Sequence, residues 1–210
     1  MAVTFENKNA YAGRVYPFHV EPVKRDVMGY EVSGVSKGVV IPQGTPLVVN
    51  DNDTNGKKTA VIAKYAKITK KTSTTVFEVD NIGFLAVGDK IFKSGQNSPT
   101  LSTISAISGN QITLSAANSQ LAVGDTVVEG KSVTTGEGQD AVTTIEPVSI
   151  PNRIVARTET MKEKDHTISA THQALVIKNV VNYPAEWLNE TTFPGSCLLK
   201  GCPLIMFINQ

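Results

Sequence analysis

The chain predicts a mostly β protein: a small β-barrel or sandwich-like domain with an inserted pseudo-twofold β module and one short helix. Three observations carry this reading. A five-residue phrase occurs twice, Leu85-Ala86-Val87-Gly88-Asp89 and Leu121-Ala122-Val123-Gly124-Asp125. Asn55-Gly56 separates two strand-like runs, which is the strongest short-range hairpin signal. Short alternating segments cut by Gly and Pro recur along the chain, and only one segment has helix punctuation.

The elements follow in order. Phe5, Tyr11, Tyr16 and Phe18 fall within the first 18 positions, ahead of Val20-Glu21-Pro22-Val23. Aromatic rings that close to a terminus imply burial, either in the protein's own core or on a partner surface engaged by an arm. Glu31–Val35 is a short alternating run. Gly38–Val49 reads as two strands around a Pro42-Gln43-Gly44 turn, and Thr59–Ile68 as the strand run after Asn55-Gly56.

The repeat extends beyond the shared phrase. At the same 36-residue offset Val76 aligns with Ile112, Phe77-Glu78-Val79 with Thr113-Leu114-Ser115, and Lys90-Ile91-Phe92 with Thr126-Val127-Val128. Each half reads as strand, tight turn, strand. Gly supplies a backbone conformation that other residues resist, and Asp bonds to the turn's own amides. Neither half can bury a core alone, whereas the two paired about a pseudo-twofold can. Residues 73–137 are predicted as this module, inserted into a domain made of 1–72 and 138–210, with linker-like edges near Lys70 and at Ser132–Gly138. Three consecutive β modules are the alternative. With linkers on both sides, the insert is expected to be dispensable for folding of the rest.

Beyond it, Asn152–Thr158 and Thr171–Val181 read as strands, and Glu159–His166 as an exposed loop or one helical turn. Tyr183-Pro184-Ala185-Glu186-Trp187-Leu188-Asn189 is the helix candidate, with Pro where a first helical residue can lack its N–H and Glu in the first turn. The single tryptophan is expected to pin that turn to the core.

Composition bounds the function. Hydrophobic residues make up 40% and aromatics only 6%, which predicts thin β domains or burial against a partner. A net charge of +1 argues against a dedicated nucleic-acid binder. Met1–Ala12 is polar with no apolar h-region, and no stretch approaches the roughly 20 apolar residues of a membrane helix. A soluble protein made in a cytoplasm is expected, so Asn189-Glu190-Thr191 is no glycan site. Cys197 and Cys202 are expected as buried free thiols, because zinc would need two more ligands and His19, His166 and His172 give no supporting spacing.

Several motifs resolve into turns. Asp51-Asn52-Asp53-Thr54-Asn55-Gly56 matches the first half of a calcium loop, but the twelfth position is Ile62 where a bidentate Glu belongs, which favours a hairpin turn. Gly124–Ser132 misses phosphate-loop spacing by one residue and precedes no helix. Ser196, His166 and Asp140 could be assembled into a triad, but no G-x-S-x-G elbow is present. No cofactor is expected. Lys57, Lys58, Lys64, Lys67, Lys70 and Lys71 lie between Asp53 and Glu78 with no acidic residue among them. They read either as a solvated or edge-protecting face or as a surface that docks on and steers toward an acidic protein assembly. Nucleic acid is disfavoured because no aromatics interleave with them.

Ile41-Pro42-Gln43-Gly44-Thr45-Pro46-Leu47, followed by Gly56 and Ala60-Val61-Ile62-Ala63, resembles a phrase in capsid auxiliary proteins of tailed bacteriophages, the head-decoration and head-fibre proteins. There a proline-x-glycine-threonine-proline-leucine strand opening precedes a hairpin and an alanine-valine strand. Thr74–Gly130 is also similar to strand, Leu-x-x-Gly-Asp, strand inserts of phage structural proteins. The resemblance covers about half the chain and rests mostly on turn-encoding residues. It implies non-enzymatic binding to an assembled capsid lattice, with the major capsid protein as partner and the chain itself as a homotrimer. The location implied is the capsid exterior of the virion, after synthesis in the bacterial host cytoplasm, with no membrane and no nucleic acid as partner. Phe5, Tyr11, Tyr16 and Phe18 are the candidate capsid or subunit contacts. A carbohydrate-binding or host-adhesion module of a phage fibre is the alternative, for which exposed Trp and Tyr platforms would be needed.

Overall fold

The structure, a computed structural model, describes residues 18–20, 27–51, 58–82, 84–136, 141–162, 167–192 and 194–209. It is built mostly of β-strands, and its first part holds β1 (Phe18–Val20), β2 (Val27–Val32), β3 (Val40–Ile41), β4 (Pro46–Asn50) and β5 (Thr59–Ile62). β4 and β5 form the hairpin that Asn55-Gly56 announces, with Val48 opposite Val61 and Asn50 opposite Thr59. The Pro42-Gln43-Gly44 turn is present: Thr45 N–H donates to the Pro42 carbonyl at 3.2 Å. Its flanking strands, however, do not pair with each other. Thr59–Ile68 is likewise not one strand. Ile62 and Ala63 are both buried, which breaks the alternation, and the Ala63 N–H turns back to the Pro46 carbonyl at 3.0 Å.

The chain then enters β6 (Tyr65–Lys71), β7 (Val76–Val79), β8 (Lys90–Lys93), β9 (Ser102–Ser108), β10 (Gln111–Leu114), β11 (Thr126–Thr135) and β12 (Val142–Pro147). Their order is β12-β11-β6-β7-β10-β9-β8, and β8 also pairs with β11. Six strands therefore close into a ring, with β12 outside it. The ring is pseudo-twofold, β6-β7-β8 repeating as β9-β10-β11. Phe77 lies opposite Ile112, and Phe92 opposite Val128. Bonds recur in matched pairs: Val79 N–H to the Asn110 carbonyl with Leu114 N–H to Thr75, and Gly88 N–H to Ile104 with Gly124 N–H to Ile68. The ring's core is five equivalent pairs, Ile68/Ile104, Phe77/Ile112, Val79/Leu114, Leu85/Leu121 and Ile91/Val127, completed by Ala66.

This geometry corrects three details of the repeat. The 36-residue offset holds at the turns and their following strands, but β7 and β10 match at 35, so Phe77 and not Val76 is the equivalent of Ile112. One extra residue between β10 and the second turn absorbs the difference. The repeating unit starts at Tyr65, because β6 and β9 are equivalent strands whose sequences agree only at inward positions. Ser132–Thr135 is no linker but the outer half of a ten-residue strand, where β-branched Val and Thr suit an exposed ladder.

The chain returns through β13 (Arg153–Val155), β14 (Glu159–Thr160), β15 (Thr167–Thr171), β16 (Ala174–Ile177), helix α1 (Lys178–Val181), a 3-10 turn at Ala185–Trp187, β17 (Leu188–Glu190), β18 (Cys197–Leu199) and β19 (Cys202–Ile208). β3 pairs with β14. A second closed barrel has the order β13-β15-β2-β5-β4, with β2 and β5 parallel. The interruption of this barrel has adjoining ends: Ala63 N–H bonds to the carbonyl of Pro46, and Asn152 N–H to that of Leu47, at 2.9 Å. Four of the last strands and β1 form a five-stranded sheet, β1-β16-β19-β18-β17. The helix expected over Tyr183–Asn189 shrinks to a single 3-10 turn, because Pro184 is extended before it and Leu188 already belongs to β17.

One core joins all three parts. Trp187, Tyr183, Leu199, Ile205 and Phe207 of the C-terminal part meet Ala63 and Ile154 of the barrel and Phe92 and Val128 of the ring. Tyr65, Tyr183 and Trp187 stack edge to face, with ring centroids 5.4–5.6 Å apart. Two glycines permit the close fit. A Cβ at Gly130 would lie 2.3 Å from the Phe92 ring, and one at Gly201 would lie 2.3 Å from the Pro151 carbonyl oxygen.

Candidate docking surfaces

The twin turns are braced identically. In each, the Asp carboxylate accepts from the N–H three residues back, Ala86 to Asp89 at 2.7 Å and Ala122 to Asp125 at 2.8 Å. Gly88 and Gly124 take φ values of 96° and 93°, the left-handed region that favours glycine. Each Asp also holds a lysine, Lys64 on Asp89 at 2.8 Å and Lys93 on Asp125 at 2.9 Å. Burial alone lowers the Lys64 pKa, but the Asp89 hydrogen bond and the Glu129 charge outweigh it and hold the ammonium above its ordinary value. Burial raises the Glu129 carboxyl against the opposing pull of Lys64. Asp89→Ala and Asp125→Ala are each expected to lower stability by about 1–3 kcal/mol, read by urea denaturation. Equal losses below about 0.5 kcal/mol would show the braces to be passive.

Three of the candidate lysines are engaged by partners within the chain. Lys64 is held by Asp89 and Glu129, and Lys70 by Glu78 at 2.7 Å. Lys71 donates to the Leu121 carbonyl and lies over the Phe77 ring. Lys58 and Lys67 are half-buried, and Lys57 lies outside the described residues. Phe5, Tyr11 and Tyr16 also lie outside them. Phe18 begins β1, its backbone opposite Val176.

Other residues that suggested chemistry serve as braces. Asp51 accepts from the Tyr30 hydroxyl at 2.8 Å and pairs with Arg153, while 52–56 lie outside the described residues. Ser196 shares a hydrogen bond with the Thr191 hydroxyl, and Asp140, Asp165 and His166 fall outside the described residues. Cys197 and Cys202 are buried free thiols, the first beside the Lys178 ammonium. Glu186 clamps the turn after β8, accepting from the Ser94 hydroxyl at 2.6 Å and the Gly95 N–H at 2.7 Å.

Sequence reasoning missed one exposed ribbon. Ser132 to Thr135 of β11 pair with Val142 to Ile145 of β12, and these residues are largely exposed on both faces. The signal was present as two β-branched runs, Val133-Thr134-Thr135 and Val142-Thr143-Thr144, flanking Gly136 and Gly138. No family model, no curated protein and no solved structure matches the chain.

Proposed function

We propose that the chain is a non-enzymatic virion structural protein, a capsid decoration or head-fibre subunit that binds the assembled shell of a tailed bacteriophage. The observation that carries this reading is the use of its polar groups. Asp89, Asp125, Glu186, Asp51 and Lys64 are spent on holding turns and joining β units, which suits a rigid adhesive scaffold. The phage-like phrase Ile41–Leu47 sits where the chain passes from β3 into β4 of the barrel. The described residues Tyr30, Tyr183 and Trp187 are buried, which favours this reading over a carbohydrate-binding platform.

Attachment is assigned to the N-terminal aromatics. Burying one such ring contributes about 1.5–3 kcal/mol, and symmetric copies multiply it through avidity. The purified protein is expected to co-sediment with shells assembled without it, with only mild salt dependence. Removing residues 1–17, which stops short of β1, is expected to abolish co-sedimentation and leave the thermal transition nearly unchanged. A large fall in melting temperature would instead place those aromatics in the protein's own core. Failure of the full chain to pellet at any salt concentration would overturn the function.

A further inference from the structure

We infer that the β11–β12 hairpin is a dimerisation arm, and that the outer edge of β12 pairs antiparallel with β12 of a second copy across a twofold axis. β12 lies outside the closed ring and, among the described residues, pairs only with β11. Its outer edge is therefore a row of backbone donors and acceptors available to another strand.

The burial pattern sets this edge apart. Along β12 only Ile145 and Pro147 are half-covered, and on the outer half of β11 only Val133 is. A two-stranded ribbon exposed on both faces is marginal in water, and a further strand is what stabilises it. Exposed apolar side chains collect along the same stretch: Val142 is 58% exposed, Val148 43% and Ile150 46%.

The chemistry of the edge selects the occupant. Proteins that keep an edge strand unpaired guard it with lysine, an inward charge, a bulge or proline. Val142-Thr143-Thr144-Ile145 carries none of these, the strand's one proline, Pro147, stands at its base, and the register with β11 is unbroken from Val142 to Pro147. The only charges along the ladder are Lys131 and Glu146, placed opposite each other at its base. A strongly acidic or basic partner would gain nothing from the uncharged stretch Val142–Ile145. A strand of the same neutral, β-branched kind matches it, and another copy of β12 supplies one. Antiparallel self-pairing is isologous, so the assembly closes at two copies rather than growing into a filament. The expected unit in solution is thus a dimer, in place of the trimer that the phage resemblance implies.

Charge pairing tests the partner's identity. Thr143 and Thr144 are exposed, face opposite sides of the ribbon and are the second and third residues of β12. The double variant Thr143→Lys with Thr144→Lys sets like charges against each other in a β12–β12 contact, and Thr143→Glu with Thr144→Glu does the same with the opposite sign. By light scattering the parent chain is expected at twice the 22.5 kDa chain mass. Each variant alone is expected at the single-chain mass with an unchanged circular dichroism spectrum, and an equimolar mixture of the two should return to the dimer mass. A monomeric or trimeric parent overturns the inference, as does a lysine variant that keeps the dimer mass or a mixture that stays monomeric. Co-sedimentation with shells is scored separately, so a parent chain that is monomeric in solution but still pellets with shells rejects the arm and leaves the proposed function standing.

Discussion

Trp187→Ala is expected to cost about 3–5 kcal/mol of unfolding free energy, a large part of the roughly 5–15 kcal/mol that a domain usually has. Trp187 is 1% exposed and lies at the meeting point of the barrel, the ring and the C-terminal sheet. Tyr65 of the ring and Tyr183 of the C-terminal part both pack edge-on against its indole. Each tyrosine is fixed at its far end, Tyr65 donating to the Val181 carbonyl and Tyr183 to the Gly44 carbonyl, both at 2.6 Å. Neither can swing inward to fill the space without giving up a buried hydrogen bond, so the cavity stays open. Trp187→Phe should cost clearly less, because it keeps a ring and removes an indole N–H that is buried without a partner. Urea denaturation of both variants checks this. An alanine variant within about 1 kcal/mol of the parent would show that the three parts do not depend on this joint.

Excising residues 73–137 behind a short Gly/Ser bridge is expected to abolish the cooperative thermal transition. The cut removes β7 to β11 whole, which leaves β6 without either neighbour and β12 without β11, the one strand it pairs with among the described residues. It also strips Phe92, Leu101 and Val128 from the shared core, exposing Trp187 and Tyr183. Excising 64–148 instead removes the ring whole, at the point where Ala63 and Asn152 bond to consecutive carbonyls of β4. That variant is expected to keep a cooperative transition at lower temperature, since its barrel and C-terminal sheet retain their ladders. If the 73–137 excision melts as cooperatively as the parent chain, the ring and the rest do not share a core.

The parts legible in the sequence were those written in local residues. The twin Leu-Ala-Val-Gly-Asp turns, the Asn55-Gly56 hairpin and the burial of Trp187 and both cysteines each follow from a few adjacent positions. What stayed hidden depends on distant partners. Nothing local marks β2 and β5 as parallel neighbours, or β8 and β11 as the pair that closes the ring. The equivalence of β6 and β9 escaped notice because Tyr65–Lys71 and Ser102–Ser108 share inward positions and little else. Ser132–Gly138 looked like a linker because an exposed strand has no apolar face to alternate with a polar one. The lysine run looked like a single charged face because its acidic partners Asp89 and Glu129 arrive from the turn before β8 and from β11.

Adhesion to an assembled lattice is the central claim, and the most direct measurement compares binding to intact shells with binding to the same capsid protein in unassembled form. Expected is saturable binding to shells at a fixed ratio to capsid subunits, at least about 100-fold tighter than to free subunits, as repeated weak contacts on a lattice give. Equal affinity for the two forms, or no saturable binding to shells, would contradict it.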